Sequence, residues 1–231
     1  MNTSHISSVK ACVFDAYGTL LDFNSAVMSC ADEIDDDSAR LSDVWRQKQL
    51  QYTCLRNLIG EHPDFWQLTG EALDFSLAAV EIDNPELRER LMALYRELDA
   101  FPEVSKTLRR LKGGKMLTTI LSNRAPEMLN AAVRANNLHN LLNEVLSVED
   151  AGVFKPDPRV YQLAVDQLDV APEHICFMSS NGWDTAGAAA FGLKAVWINR
   201  YDQPEEHQLR RPYVVIDTLT SLPAMLAVYA S

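Results

Sequence analysis

Val9-Lys10-Ala11-Cys12-Val13-Phe14-Asp15-Ala16-Tyr17-Gly18-Thr19-Leu20-Leu21-Asp22 begins as an apolar run and breaks at Asp15 into a glycine-bearing turn. Val9–Phe14 is short and does not alternate polar with apolar positions, so it reads as a strand buried on both faces. Further short apolar runs follow at Met116–Leu121, Glu144–Val148, Ile175–Ser179, Ala195–Ile198 and Tyr213–Ile216. Helical patterns at Glu103–Leu111, Pro126–Asn136, Pro158–Leu168 and Asp184–Phe191 separate the later runs. Strands of this kind alternating with helices predict a parallel sheet covered on both faces. Pro126 and Pro158 suit the first turns of their helices, and Asp157 suits the N-cap before Pro158.

Between Asp22 and Asp99 the pattern changes. Leu41, Val44, Trp45, Tyr52, Leu55, Leu58 and Ile59 fall near one helical face. Phe65, Trp66, Leu68, Leu73, Phe75 and Leu77 begin a second helical region, and Leu87, Leu91, Leu94, Tyr95 and Leu98 form a third. The predicted fold is therefore α/β, a Rossmann-like parallel sheet core with an all-helical cap inserted after the first strand. Residues 1–21 and 100–231 form the core and 22–99 the cap. Ligands of open α/β sheets bind at the C-terminal strand ends, so a cap entering there would roof the site and exclude water. The acidic stretch Asp32-Glu33-Ile34-Asp35-Asp36-Asp37 reads as a solvated loop between helices.

Composition narrows the function. The 231 residues are 47% hydrophobic and 23% charged, which excludes general disorder and a collagen-like fibre. No apolar run approaches the ~20 residues of a membrane helix. Met1–Ser8 is polar, and no signal-peptide stretch follows before Asp15, so a cytoplasmic protein is expected. Lys plus Arg total 21 against 32 Asp plus Glu, a net charge of -11, which argues against nucleic acid as partner. A local cluster of Lys and Arg still leaves an anionic small substrate open. Cys12, Cys30, Cys54 and Cys176 lie far apart, so they read as buried reduced thiols rather than zinc ligands.

The residues after each strand carry the chemistry. Asp15 follows the first, Ser122-Asn123-Arg124 the second, then Lys155-Pro156-Asp157, and Ser179-Ser180-Asn181-Gly182-Trp183-Asp184 closes the Ile175 strand. These groups would converge on one sheet edge, where stability alone does not call for them. His5, His62, His139, His174 and His207 fall outside every motif, which leaves Ser-His-Asp and Cys-His mechanisms without support.

The pattern resembles the haloacid dehalogenase superfamily and, more narrowly, the L-2-haloacid dehalogenases. The resemblance rests on Asp15-Ala16-Tyr17-Gly18-Thr19, Trp45-Arg46-Gln47-Lys48-Gln49-Leu50, Leu121-Ser122-Asn123, Lys155-Pro156-Asp157 and Ser179–Asp184, and spans Val9 to Ile216. Superfamily phosphatases carry a second Asp two residues after the nucleophile, to protonate the leaving alcohol. Here Tyr17 stands there. Halide leaves as an anion and needs no general acid. The phosphatases also bind Mg²⁺ through an acidic fourth motif, whereas here only Asp184 is acidic. The resemblance thus implies no metal and no cofactor.

It also implies roles. Asp15 attacks the halogen-bearing carbon and forms an ester, Thr19 orients Asp15, and Lys155 is its counter-charge. Ser122 with nearby amides holds the substrate carboxylate, and Asn123 and Arg46 cradle the halide. Asp184 activates water, with Asn181 and Ser179 positioning the water or supporting Lys155; as an alternative, Asp184 is the N-cap of its helix. Tyr17, Phe65 and Trp183 wall the alkyl group. Tyr161 supports the lysine or simply packs. The expected reaction turns (S)-2-haloalkanoic acids into (R)-2-hydroxyalkanoic acids. The rivals are a phosphatase of the same superfamily and a catalytically silent interaction protein. The expected partner is a small anionic 2-halocarboxylic acid, without nucleic acid or membrane, in a homodimer formed through cap helices. Preferred halogen and chain length stay open.

Overall fold

A computed structural model describes residues 6–61, 64–205 and 210–228. Its strands are β1 (Ala11–Phe14), β2 (Leu117–Ser122), β3 (Glu144–Ser147), β4 (Ile175–Ser179), β5 (Lys194–Ile198) and β6 (Val214–Ile216). They form one sheet in the order β3-β2-β1-β4-β5-β6, with every pairing parallel. This is the α/β core the strand pattern predicts. β1, β2 and β4 are almost wholly buried, which explains why they read as unbroken apolar runs.

The strand order reverses at β1, which pairs with β2 on one side and β4 on the other. Such a switch point opens a crevice beyond the strand ends. Phe14 registers with Ile120 and Met178, so Asp15 leaves β1 level with Leu121 of β2 and Ser179 of β4, one residue before the end of β2 and at the end of β4. Cys12 faces Cys176 in the same register, both buried and free. Cys54 departs from the expected burial and is exposed.

Between β1 and β2 lie α1 (Ser25–Met28), α2 (Ala31–Ile34), α3 (Ser38–Leu58), α4 (Phe65–Ala79), α5 (Pro85–Arg96) and α6 (Val104–Gly113). α6 packs on β2, whereas α3 packs mainly on α4. Asn84 caps α5 by accepting from the Leu87 amide, and Asp64 caps α4 by accepting from the Trp66 amide. The acidic stretch is not a loop. Its first part is helix α2 and Asp35–Asp37 is a 3₁₀ turn, because Ile34 is drawn into the core at 4% exposure.

The buried stripe of α3 also departs from the expected one. It runs through Leu41, Trp45, Gln49 and Thr53, while Leu55, Leu58 and Ile59 face solvent at 49%, 75% and 67% exposure. The inward face turns polar midway because Gln49 Oε1 accepts from Tyr95 and Arg124 and Thr53 lines the cavity over the strand ends.

The remaining helices are α7 (Pro126–Ala135), α8 (Pro158–Leu168), α9 (Gly182–Phe191) and α10 (Leu222–Met225). Pro126 and Pro158 start α7 and α8, and Asp157 accepts from the Arg159 amide as the N-cap of α8. At α9 the cap position belongs to Asn181, and Asp184 sits inside the first turn, buried. None of the described helices is long and apolar enough to cross a membrane. His139 and His174 are remote from the strand-end residues, and His5, His62 and His207 lie outside the described residues, as do residues 1–5 of the polar N-terminal stretch.

Candidate active site

Asp15 leaves β1 at the switch point and is 7% exposed. Gly18 makes the turn that follows. Its φ of +88° suits glycine, and a Cβ there would lie 2.8 Å from Ser180 Oγ. The turn brings Thr19 back beneath the carboxylate, where its hydroxyl lies 3.4 Å from Asp15 Oδ2 and accepts from the Ser180 amide at 2.8 Å. Ser179 Oγ at 3.4 Å and Asn181 Nδ2 at 3.1 Å also donate to Oδ2.

The other carboxylate oxygen accepts from Lys155 Nζ at 3.2 Å. The same ammonium donates to Asp184 Oδ2 at 2.9 Å, and Tyr161 OH donates to Asp184 Oδ1 at 2.8 Å. Tyr161 thus reaches Asp184 and not Lys155 directly. Gly187 allows this approach, since a Cβ there would lie 2.6 Å from the Tyr161 hydroxyl.

Burial alone would lower the Lys155 pKa, but Asp15 and Asp184 outweigh it and hold the ammonium above its ordinary value. Burial pushes the Asp184 carboxyl up, against the pull of Lys155; the charge on Asp15 adds to the rise, and the Tyr161 hydrogen bond opposes it. Two carboxylates share one ammonium in a dry site, so one of them holds a proton more tightly than a free carboxyl does. That ammonium sits between the site's two carboxylates. Among the described residues there is no cluster of three His, Cys, Asp or Glu placed to hold a metal ion.

A cavity opens over Asp15 at the strand ends. Tyr17, Arg46, Phe65, Ser122, Asn123, Lys155, Asn181 and Trp183 line it together with Asp15. Thr19, Ser179, Tyr161 and Asp184 lie beneath this wall, supporting Asp15 and Lys155. Arg46, on α3, reaches across and donates to Asn181 Oδ1 at 3.1 Å. Asn123 Oδ1 accepts from the Lys155 amide at 2.9 Å, leaving its side-chain NH₂ available. Ser122 Oγ accepts from the Arg124 amide at 3.4 Å. A water molecule's centre has only about 20 Å³ to move in here, so the cavity suits a very small ligand. A larger apolar groove of about 600 Å³, bordered by Leu50, Cys54, Leu58 and Trp183, adjoins it.

Tyr17 OH is buried without a partner, and desolvation pushes its pKa well up, so it stays a neutral hydroxyl. The position where a phosphatase needs an acid therefore holds a group that releases no proton near neutral pH.

Sequence reasoning assigned no role to Arg124, Gln49 or Tyr95. All are buried, and Arg124 Nη2 donates to Tyr95 OH at 3.0 Å and to Gln49 Oε1 at 3.3 Å. Arg124 also lines the cavity. Its place directly after Ser122-Asn123 was the available signal, but an arginine in isolation reads as solvated.

The profile of a family described as haloacid dehalogenase-like hydrolase matches residues 9–192. The chain is 48% identical to (S)-2-haloacid dehalogenase 1 of Pseudomonas sp. (strain CBS-3), over 94% of this chain and 96% of that one. It is 46% identical to (S)-2-haloacid dehalogenase 4A of Burkholderia cepacia, over 96% of each. It is also similar to the solved structure of L-2-haloacid dehalogenase from Xanthobacter autotrophicus with chloropropionic acid covalently bound. That match has a TM-score of 0.88 at 32% identity and covers 96% of this chain and 100% of the other.

Proposed function

The chain belongs to the haloacid dehalogenase-like hydrolase family, and from that premise we propose that it hydrolyses (S)-2-haloalkanoic acids to (R)-2-hydroxyalkanoic acids. The observation that carries this reading is Asp15, held beside Lys155 at 3.2 Å and facing a small cavity in which Tyr17 stands where a phosphatase carries its acid.

In the first step an Asp15 carboxylate oxygen attacks the α-carbon. The carbon–halogen bond breaks, the halogen leaves with the bonding pair, and the carbon inverts. Thr19, Ser179 and Asn181 aim the nucleophile, and Lys155 at 3.2 Å is its counter-charge. Ser122 with neighbouring amides holds the substrate carboxylate, Arg46 and Asn123 face the halogen, and Tyr17, Phe65 and Trp183 enclose the alkyl group. In the second step water attacks the Asp15 ester carbon and its proton passes to Asp184, the carboxyl whose raised pKa makes it the stronger base. The tetrahedral adduct collapses by breaking its bond to the substrate oxygen, which takes the remaining proton of the attacking water and departs as the hydroxy acid. Asp15 is restored as a carboxylate, and Asp184 gives its proton to solvent, matching the halide released.

Residues 22–99 act as the cap and residues 1–21 and 100–231 as the core. Exposed Leu55 and Leu58 on α3 and Ile59 just after it support a homodimer formed through the cap. The free thiols, Cys54 exposed among them, support a reducing cytoplasmic setting.

The deciding experiment scores halide release from chloro-, bromo- and fluoro-substituted acids in excess EDTA. Undiminished release is expected, because Lys155 already occupies the place between Asp15 and Asp184. Activity lost to EDTA and restored by Mg²⁺ would return the phosphatase reading.

Asp184→Asn separates the two steps. The amide keeps the volume and can still meet Tyr161, but it cannot take a proton. One equivalent of halide should be released and turnover should then stall, with the enzyme heavier by one carboxyalkyl group, held as an ester on the peptide containing Asp15. Steady turnover without an adduct would remove Asp184 from the mechanism.

A further inference from the structure

We propose that Arg124 is a second guanidinium donor to the departing halide, acting with Arg46 on the leaving atom. The inference rests on the dehalogenase reading above.

Arg124 is 2% exposed and shares the cavity wall with Asp15 and Asn123. Its guanidinium carbon lies 3.8 Å from the Phe65 ring centroid, 4.3 Å from Tyr17 and 5.4 Å from Tyr95. The aromatic rings engage the faces of the guanidinium and leave the N–H edges for hydrogen bonds. Nη2 is used by Tyr95 and Gln49, both on the cap. Nη1 is buried and has no partner. Among the described residues no carboxylate pairs with this side chain, unlike Lys155, which has two.

A guanidinium remains charged at any pH a protein survives. A buried, unpaired charge is costly unless an anion arrives to meet it. Arg46 adds to the imbalance, since its positive charge acts against that of Arg124. The site thus holds three cationic side chains against the carboxylates of Asp15 and Asp184. During displacement, negative charge leaves Asp15 for the halogen. A fixed cation on the receiving side stabilises that transfer without reorganising.

The free edge is better suited to halide than to the substrate carboxylate. A carboxylate binds guanidinium best through two parallel N–H bonds from different nitrogens. With Nη2 engaged, Nη1 offers only a single point of attachment. A spherical halide needs no fork, and the flanking Phe65 and Tyr17 rings suit a weakly hydrated anion.

The test is the ratio of kcat/KM for 2-bromopropionate over 2-chloropropionate, in the wild type and in Arg124→Met. This parameter covers steps up to carbon–halogen cleavage, and a ratio on one preparation cancels any inactive fraction. Chloride is the poorer leaving group and depends more on the cation, so the ratio should rise roughly tenfold in the variant. Inhibition by added sodium bromide should weaken at the same time. Arg124→Gln, neutral but able to bond Tyr95, gives the same reading if Arg124→Met does not fold. A ratio within about twofold of wild type, with both substrates slowed alike, would assign Arg124 to packing or to carboxylate binding and overturn the proposal. A wild type that releases no halide from either acid would overturn the dehalogenase reading itself.

Discussion

Asp15→Asn is expected to lower kcat/KM for halide release by at least ~10⁴-fold, the scale on which removing a covalent nucleophile is felt. The amide matches the carboxylate in size, and Lys155 keeps Asp184 as a partner at 2.9 Å, so the fold should persist. What disappears is the charged oxygen facing the cavity. The loss alone does not say whether Asp15 attacks carbon or activates water, so the oxygen atom must be followed. In a single turnover of wild-type enzyme in H₂¹⁸O, the new hydroxyl should be unlabelled and the label should appear in the peptide holding Asp15. Water then attacks the Asp15 carboxyl carbon rather than the substrate. Label in the hydroxyl during the first turnover, with Asp15 unlabelled, would make Asp15 a general base. Asp184 makes the ester route the expected one, because it supplies a separate base behind the nucleophile.

Lys155→Met should damage both catalysis and stability. The ammonium is buried between Asp15 and Asp184, with 1% of its side chain exposed. Losing a preorganised cation costs ~10²–10³-fold in rate. Leaving two carboxylates without a counter-charge should cost about 3–5 kcal/mol at neutral pH, read by urea denaturation. The folded-state pKa of Lys155 lies above its ordinary value of 10.5, so its contribution is complete below that value. It is lost only as pH rises through the higher, folded value. The stability gap between wild type and variant should therefore be flat across neutral pH and shrink on the far alkaline side. It should also narrow in acid. The folded pKa of Asp184 is raised above 3.8, so the folded state gains protons there before the unfolded chain does. A protonated Asp184 no longer needs the ammonium. A gap independent of pH throughout would show that Lys155 contributes packing rather than charge.

The strands and major helices were legible because their signals are local. Unbroken apolar runs mark β1, β2 and β4, and Pro126 and Pro158 mark the starts of α7 and α8. The candidate site was legible for a related reason. Asp15, Ser122, Lys155 and Asn181 each follow a strand or strand-end turn, and a parallel sheet carries all such positions to one edge. The errors fell where local pattern and three-dimensional environment disagree. Leu58 and Ile59 fit an apolar stripe but face solvent, while Gln49, bonded to Tyr95 and Arg124, and Thr53, at the cavity, take the buried positions.

The sequence by itself determined the α/β class, the helical insertion after β1 and the residues that meet at the strand ends. Each follows from periodicity or from position relative to a strand. Only the tertiary structure decided which charges pair and which do not. Lys155 bridges two carboxylates 29 and 140 residues away, Tyr161 turns to Asp184, and Arg124 is sealed under Phe65 with one nitrogen unclaimed. Burial and pairing of a charge depend on side chains brought in from distant elements, and spacing along the chain carries no record of those distances.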